Sequence, residues 1–404
     1  MISVEQAQAN VRSGMTRIGC ESISISAALG RVLGEDVASR LTQPPKDVSA
    51  MDGYSVRAED IAHPPVILTQ IGESQAGDGF AGVVGPGQTV RTFTGAPIPT
   101  GADTVVIQEV TTVDGDQIHI QQTSAPGQFV RSAGLDFKTG DVLLTAGRVL
   151  SARDIGLLAA MNVPWVSVRR RPRVGIIATG DEVVMPGDRL GPDQIVSSNS
   201  LALAGYITAL GGEPVNLGIA RDTTDSLRQV LAATRGMDLI MTIGGASVGD
   251  YDLVQQVMGE KGLKLNFYKV AMRPGKPMIF GHLDDIPVLG LPGNPVSSGV
   301  TCMIFLTQAM NVMLGLDGVD IQKETALLGR DLPENDQRQD YLRATLSQTE
   351  DGVLCACPFE RQDSSMMERF AQADCLVVRP PHAAPAQKGD RVEIIRLSVD
   401  RVGF

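Results

Sequence analysis

Histidine is scarce in this 404-residue sequence: His63, His119, His282 and His382 are the full set, in unrelated contexts. A Ser-His-Asp triad or a histidine-ligated metal is therefore poorly supported. Cysteine is nearly as rare, and Cys20, Cys302, Cys355, Cys357 and Cys375 are odd in number and scattered. Cys355-Ala-Cys357 is too tight for a zinc knuckle and lacks a second pair, so buried free thiols are expected. Aromatics make up 4%, with a single Trp. No uninterrupted apolar run approaches the roughly 20 residues of a membrane helix. The start, MISVEQAQANVRSGM, has neither the basic region nor the apolar stretch of a signal peptide. No Walker lysine motif and no GxGxxG follows a strand pattern, which excludes P-loop and ordinary dinucleotide-binding readings. Positive charge is also short, 35 basic against 46 acidic side chains, for a net charge of −11. Broad binding to nucleic acid or an anionic membrane needs the opposite sign. The expectation is a soluble, cytoplasmic protein with no nucleic-acid or membrane partner.

What is present is an ordinary globular composition, 43% hydrophobic, with 44 Gly and 23 Pro. A chain of this length predicts two to four domains of about 100–200 residues each. Val4, Ala7, Val11 and Met15 recur at helical spacing, and Ile23–Leu33 reads as a short strand and turn. From about 46 to 140, glycines punctuate short β-type runs such as Pro65–Gln70, Thr89–Phe93 and Thr104–Val110, as in a small barrel or twisted sheet. Ser151 caps a predicted helix Ala152–Met161, and Arg169-Arg-Arg-Pro-Arg173 reads as a solvated linker. Between 174 and 320, strands and helices alternate, from the apolar strand Val174–Ala178 to the long helix Val296–Leu314. That alternation predicts a doubly wound sheet with helices on both faces. The last 80 or so residues return to five short strands, a compact barrel or sandwich.

Ligands of open α/β sheets bind beyond the carboxyl ends of the strands. Four such ends carry polar, glycine-rich sequence: Thr179-Gly-Asp-Glu182, Arg221-Asp222, Gly244–Asp252 and Pro292–Ser297. Gly244 and Gly245 allow close backbone approach, and a helix N-terminus attracts anions. Yet Asp181, Glu182, Asp222, Asp250 and Asp252 gather at the same edge. Carboxylates repel phosphate unless a divalent cation sits between them, so the pattern asks for Mg²⁺ or a similar hard ion. Helix capping is the bland alternative for Asp181, Asp222 and Asp250. Lys269, Arg273 and Lys276 place three cations in one Pro- and Gly-shaped loop, suited to a doubly anionic substrate.

Taken together, nine blocks occur in the order expected of one family: SAMDGYSV, TGAPIPTGADTVV, GQFVRSAGLDFKTGD, ATGDE, SNS, GIARD, TIGGASVGDYD, MRPGKP and GLPGNPVSS. The sequence resembles the MoeA-like molybdopterin molybdenumtransferases, which share their architecture with the C-terminal domain of gephyrin. The resemblance implies a multidomain α/β plus β protein. Its parts would be a discontinuous N-terminal α+β domain (1–44 and 141–170), an inserted β domain (45–140), an α/β/α molybdopterin-binding domain (171–322) and a C-terminal β barrel (323–404). It implies a homodimer with shared active sites, and transient contact with the molybdopterin adenylyltransferase. The implied reaction inserts molybdenum from molybdate into the dithiolene of adenylylated molybdopterin and releases AMP.

By the motifs, Glu182, Asp222 and Asp252 would handle the metal and the phosphoanhydride, with Asp52 and Asp136 completing the catalytic set. Arg273, Lys276, Ser297, Arg343 and Ser364 would hold molybdate or the pterin phosphate, and Lys269 would face the same ligand. Gly244, Gly245, Ser247, Pro292 and Asn294 would line the substrate. Asp52, Thr94, Arg131 and Asp136 would reach the neighbouring subunit's cleft. Some members carry lysine where this chain has Arg273, whose planar fork holds an oxyanion differently. A gephyrin-type scaffold, an adenylyltransferase and a tungstate-specific relative are the competing readings.

Overall fold

The structure, a computed structural model, describes residues 1–244, 253–316, 318 and 320–397. At the N-terminus, Ser3 and Gln6 cap helix α1 (Val4–Ser13) reciprocally, and Val4, Ala7 and Val11 form its buried face. Strand β1 (Cys20–Ser24) pairs with a strand far along the chain, described below. Six strands then form one sheet: β2 (Gly53–Val56), β3 (Val66–Ser74), β4 (Gln88–Thr92), β5 (Thr104–Ile107), β6 (Thr111–Asp114) and β7 (Gln117–Ile120). Their order is β5-β2-β4-β3-β7-β6. Helix α2 (Ala152–Ala160) is capped by Ser151, and β8 (Trp165–Arg169) returns antiparallel to β1. Residues as far apart as Ala28 and Val168 share the core beneath this pair.

The α/β layer comprises β9 (Arg173–Thr179), α3 (Asn199–Ala209), β10 (Glu213–Ala220), α4 (Thr224–Ala232), β11 (Leu239–Ile243), α5 (Leu253–Glu260), β12 (Lys264–Tyr268), β13 (Met272–Arg273), β14 (Ile279–Leu283) and β15 (Ile286–Leu291). Its sheet runs β10-β9-β11-β15-β14-β12. The first four strands are parallel, and β11 is buried throughout, as its unbroken apolar run requires. The last two are joined by antiparallel pairings, β14 alone running against the other five strands, a departure from a purely doubly wound sheet.

The predicted helix over 296–314 is continuous but irregular: α6 (Pro295–Thr301), a π segment (Cys302–Leu306) and α7 (Thr307–Leu314). By length and composition it could cross a membrane, yet 83% of its most apolar window is buried inside the protein. It is the spine of the largest core, packing on β15 and α1 and sharing that core with residues of β9 and β11.

Five strands close a C-terminal barrel: β16 (Glu324–Leu328), β17 (Gln339–Gln348), β18 (Leu354–Pro358), β19 (Cys375–Arg379) and β20 (Arg391–Arg396), with the short helix α8 (Met367–Ala371). Closure comes from the pairing of β17 with both β18 and β19. Strand β13, from the α/β layer, joins this sheet through parallel pairing of Met272 and Arg273 with Gln339 and Asp340.

Two expectations need correction. Cys302 and Cys375 are buried and Cys355 is half-buried, but Cys20 and Cys357 are exposed. The basic junction is anchored rather than solvated: Arg169 donates to the Ile18 carbonyl, and Arg170 makes two 2.6 Å bonds to Asp238. Asp238 also accepts the Arg173 amide at 2.7 Å. Charged hydrogen bonds contribute about 1.5–3 kcal/mol. Asp238→Ala is therefore expected to lower the urea midpoint of unfolding, at a cost of about 2 kcal/mol. An unchanged midpoint would assign the junction no share in stability.

Candidate functional site

At the carboxyl edge of the parallel strands lies a cleft of about 670 Å³. Glu182, Gly244, Pro292, Asn294 and Ser365 are among its walls, together with Asn199 at the start of α3. Its floor is stitched across strands: Thr179 Oγ donates to the Ile243 carbonyl, and Gly244 N to the Leu291 carbonyl at 3.1 Å. Gly244 has φ +87°, and a Cβ there would come within 2.8 Å of Thr179 Oγ, so glycine is required. Across the cleft, Asn199 donates to the Gly293 carbonyl and Asn294 to Ser364 Oγ, while Ser364's carbonyl accepts Val296 N. These bonds dock a barrel loop onto the start of α6.

The acidic side is built from two adjacent loops. Glu182 follows β9 and Asp222 follows β10, and both carboxylates are exposed. Among the described residues, neither carboxylate has a hydrogen-bond or ion-pair partner. The loops are tied by backbone and neighbouring groups: Gly180 N to the Ala220 carbonyl, and Asp222 N to Asp181 Oδ1 at 3.2 Å. No cluster of three potential metal ligands occurs among the described residues. Asp252, the third expected carboxylate, lies outside the described residues, as do Asp250, Gly245 and Ser247.

The basic side divides in two. Lys276 is exposed, its carbonyl accepts Val270 N, and its neighbour Pro277 lines the cleft. Lys269, seven positions earlier, has its Nζ 4.8 Å above the Tyr268 ring. Arg273 instead faces a second cavity of about 260 Å³ and is bound by the barrel: to Asp336 and Asn335 at 3.2 Å each, and to Asp340. Arg338 first, and Arg273 more weakly, hold the Asp336 carboxyl down to about 2. Burial pulls Asp340 the other way, against Arg273.

Arg343, on β17, is 1% exposed. Gln362 brackets its backbone, accepting from its amide and donating to its carbonyl, and its Nη2 donates to the Asp363 carbonyl at 2.9 Å. Burial lowers its pKa, partly offset by Asp363. Among the described residues, three buried side-chain polar atoms lack a partner: Arg343 Nε, Ser298 Oγ and Asp340 Oδ1. Ser297 is buried too, but the orphaned hydroxyl is that of Ser298. Sequence spacing cannot choose between adjacent serines in the first turns of a helix, so Ser298 was missed. Ser365 and Pro277 also line the cleft without having been singled out, although Pro277 closes the MRPGKP block.

The inserted sheet carries a separate group. Thr94 donates its amide and its hydroxyl to Asp52, both at 2.7 Å, which holds that carboxyl below its ordinary value. Arg131 lies on a short strand paired with Val48, and Asp136 N donates to the Gln43 carbonyl. Among the described residues, no hydrogen bond or ion pair ties Asp52, Thr94, Arg131 or Asp136 to the cleft.

Three family descriptions match in succession: the MoeA N-terminal region (domain I and II) over residues 2–162, a probable molybdopterin binding domain over 175–311, and the MoeA C-terminal region (domain IV) over 325–397. A molybdopterin molybdenumtransferase of Nostoc sp. is 42% identical over 304 residues, covering 73% of this chain and 70% of the relative. One from Haemophilus influenzae is 32% identical over 401 residues, covering 98% of both. The crystal structure of the molybdopterin biosynthesis MoeA protein from Pyrococcus horikosii superposes with a TM-score of 0.87 at 32% identity, covering 99% of this chain and all of that one.

Proposed function

This chain belongs to the MoeA family of molybdopterin molybdenumtransferases, enzymes of molybdenum cofactor biosynthesis, and from that premise we propose that it inserts molybdenum from molybdate into adenylylated molybdopterin with release of AMP. The observation that carries this reading is the cleft at the carboxyl edge of the parallel strands, which brings Glu182, Gly244, Pro292 and Asn294 together. An unmet buried donor costs about 1–3 kcal/mol, and Arg343 Nε and Ser298 Oγ, both unpartnered, are each suited to an oxyanion. Ser364, bonded to Asn294 at the start of α6, belongs to the loop whose Asp363 carbonyl accepts from Arg343, which links that strand to the cleft wall.

The carboxylates Glu182 and Asp222, exposed and without a described cationic partner, fit a hard divalent cation such as Mg²⁺, and Asp252 would be the third member by its motif. When bound, that ion supplies charge neutralisation at the phosphoanhydride. Lys276 stands beside the cleft to balance the negative charge of pterin phosphate and molybdate. Arg273 contributes through its hold on the barrel, which fixes the turn that carries Lys276. In a homodimer, Asp52, Thr94, Arg131 and Asp136 would serve the partner's cleft.

The chemistry needs placement and electrostatics more than a nucleophile. Asp222→Ala and Lys276→Ala are each expected to cut AMP release and cofactor formation by about 100-fold, measured with adenylylated molybdopterin, Mg²⁺ and molybdate. Full activity in both would end this assignment.

A further inference from the structure

Glu182 and Asp222 stand on different loops, and something must keep two like charges at a workable spacing before any cation arrives. The clasp is Arg221. Its Nη1 donates to the carbonyls of Asp181 at 3.0 Å and Val183 at 3.3 Å, the two residues that flank Glu182. Its own amide donates to Ser226 Oγ at 2.9 Å, which fastens residue 221 to the first turn of α4. Ser226 is fixed in turn by Thr223, the cap of that helix. Asp222 N returns a bond to Asp181 Oδ1. Each carboxylate is thus the immediate chain neighbour of a clasp residue, and the guanidinium is directed at carbonyls rather than at either carboxylate.

We infer that Arg221 is a positioning residue for the divalent cation: it locks the Glu182 turn to the Asp222 loop and leaves both carboxylates free to bind. This rests on the cation reading above and adds to it a residue outside the expected ligand set. Groups that orient metal ligands from behind typically cost 10–100-fold in metal affinity when removed. A lysine reaches the same carbonyls with a single ammonium, so it should restore part of the effect.

The test is a Mn²⁺ titration of the full chain with AMP present, free Mn²⁺ being read by electron paramagnetic resonance. Arg221→Ala is expected to weaken Mn²⁺ binding by about 10-fold, with its thermal midpoint within a few degrees of wild type. Arg221→Lys should fall between the two. In the metal-free protein, Arg221→Ala should speed amide hydrogen exchange across residues 180–184. Asp222→Asn is the control for the cation itself. Wild-type Mn²⁺ affinity in Arg221→Ala, alongside loss in Asp222→Asn, overturns the positioning role alone. A large fall in the Arg221→Ala midpoint with no change in affinity does the same. Unchanged affinity in Asp222→Asn, or no measurable binding by the wild type, overturns the cation reading.

Discussion

Arg343→Met is expected to leave the barrel folded, with a thermal midpoint close to the wild type's, while molybdenum insertion falls by about 100-fold or more. The two outcomes diverge for one reason. A guanidinium that is 1% exposed and has an unpartnered Nε gains little from its surroundings except one bond to the Asp363 carbonyl. An apolar side chain of similar length removes the desolvation penalty, and exchanges of this kind are often neutral or stabilising. The same exchange removes a donor proposed to serve the oxyanion, which is the costly loss in a site that works by electrostatics. Melting curves and molybdate-dependent cofactor formation, measured on one preparation, decide it. A protein that melts well below wild type yet makes cofactor at the normal rate would assign Arg343 to the barrel's stability instead.

Gly53→Ala should be the most damaging small substitution in the inserted sheet. Gly53 opens β2, the strand flanked by β4 and β5, and it pairs with Thr92 and Ile107. A Cβ there would overlap the Val106 carbonyl oxygen and lie 2.9 Å from its carbon and 3.0 Å from Ile107 Cα. All three atoms are backbone, so no rotamer change relieves the contact and the strand itself must move. Overpacking of this kind typically costs 1–3 kcal/mol, and a rigid backbone obstacle places this site at about 3 kcal/mol. A lowered urea midpoint is the expected readout. The displacement also reaches Asp52, whose carboxyl depends on both donors of Thr94, so activity should fall with stability. A midpoint equal to wild type would show that the sheet yields easily at this position.

The α/β layer was readable because its central strands are unbroken apolar runs ended by polar, glycine-rich loops, a pattern that local sequence alone produces. Glu182, Gly244, Pro292 and Asn294 follow from that pattern and do line one cleft. The barrel's closure was less explicit. Its five strands alternate visibly, but a barrel and a sandwich share that alternation, and only the pairing of β17 with β19 separates them. The partners of Arg273 were not readable at all. Asp336 and Asp340 lie more than 60 positions away, and the charge of the MRPGKP block pointed toward an anion rather than a barrel carboxylate. Arg221 escaped for a related reason: its side chain serves carbonyls, and carbonyls leave no trace in residue identity.

The strand shared by the layer and the barrel has a mechanical consequence. Met272 and Arg273 belong to the barrel's sheet through their pairing with Gln339 and Asp340, and Gln339 N also donates to the Ala271 carbonyl. Between them they form a weld. The barrel cannot pivot away from the layer without tearing this ladder and dragging the Lys276 turn along with it. Any widening of the cleft has to come from the rim opposite the weld, and a truncation that deletes the barrel would unravel the cationic turn as well as the barrel.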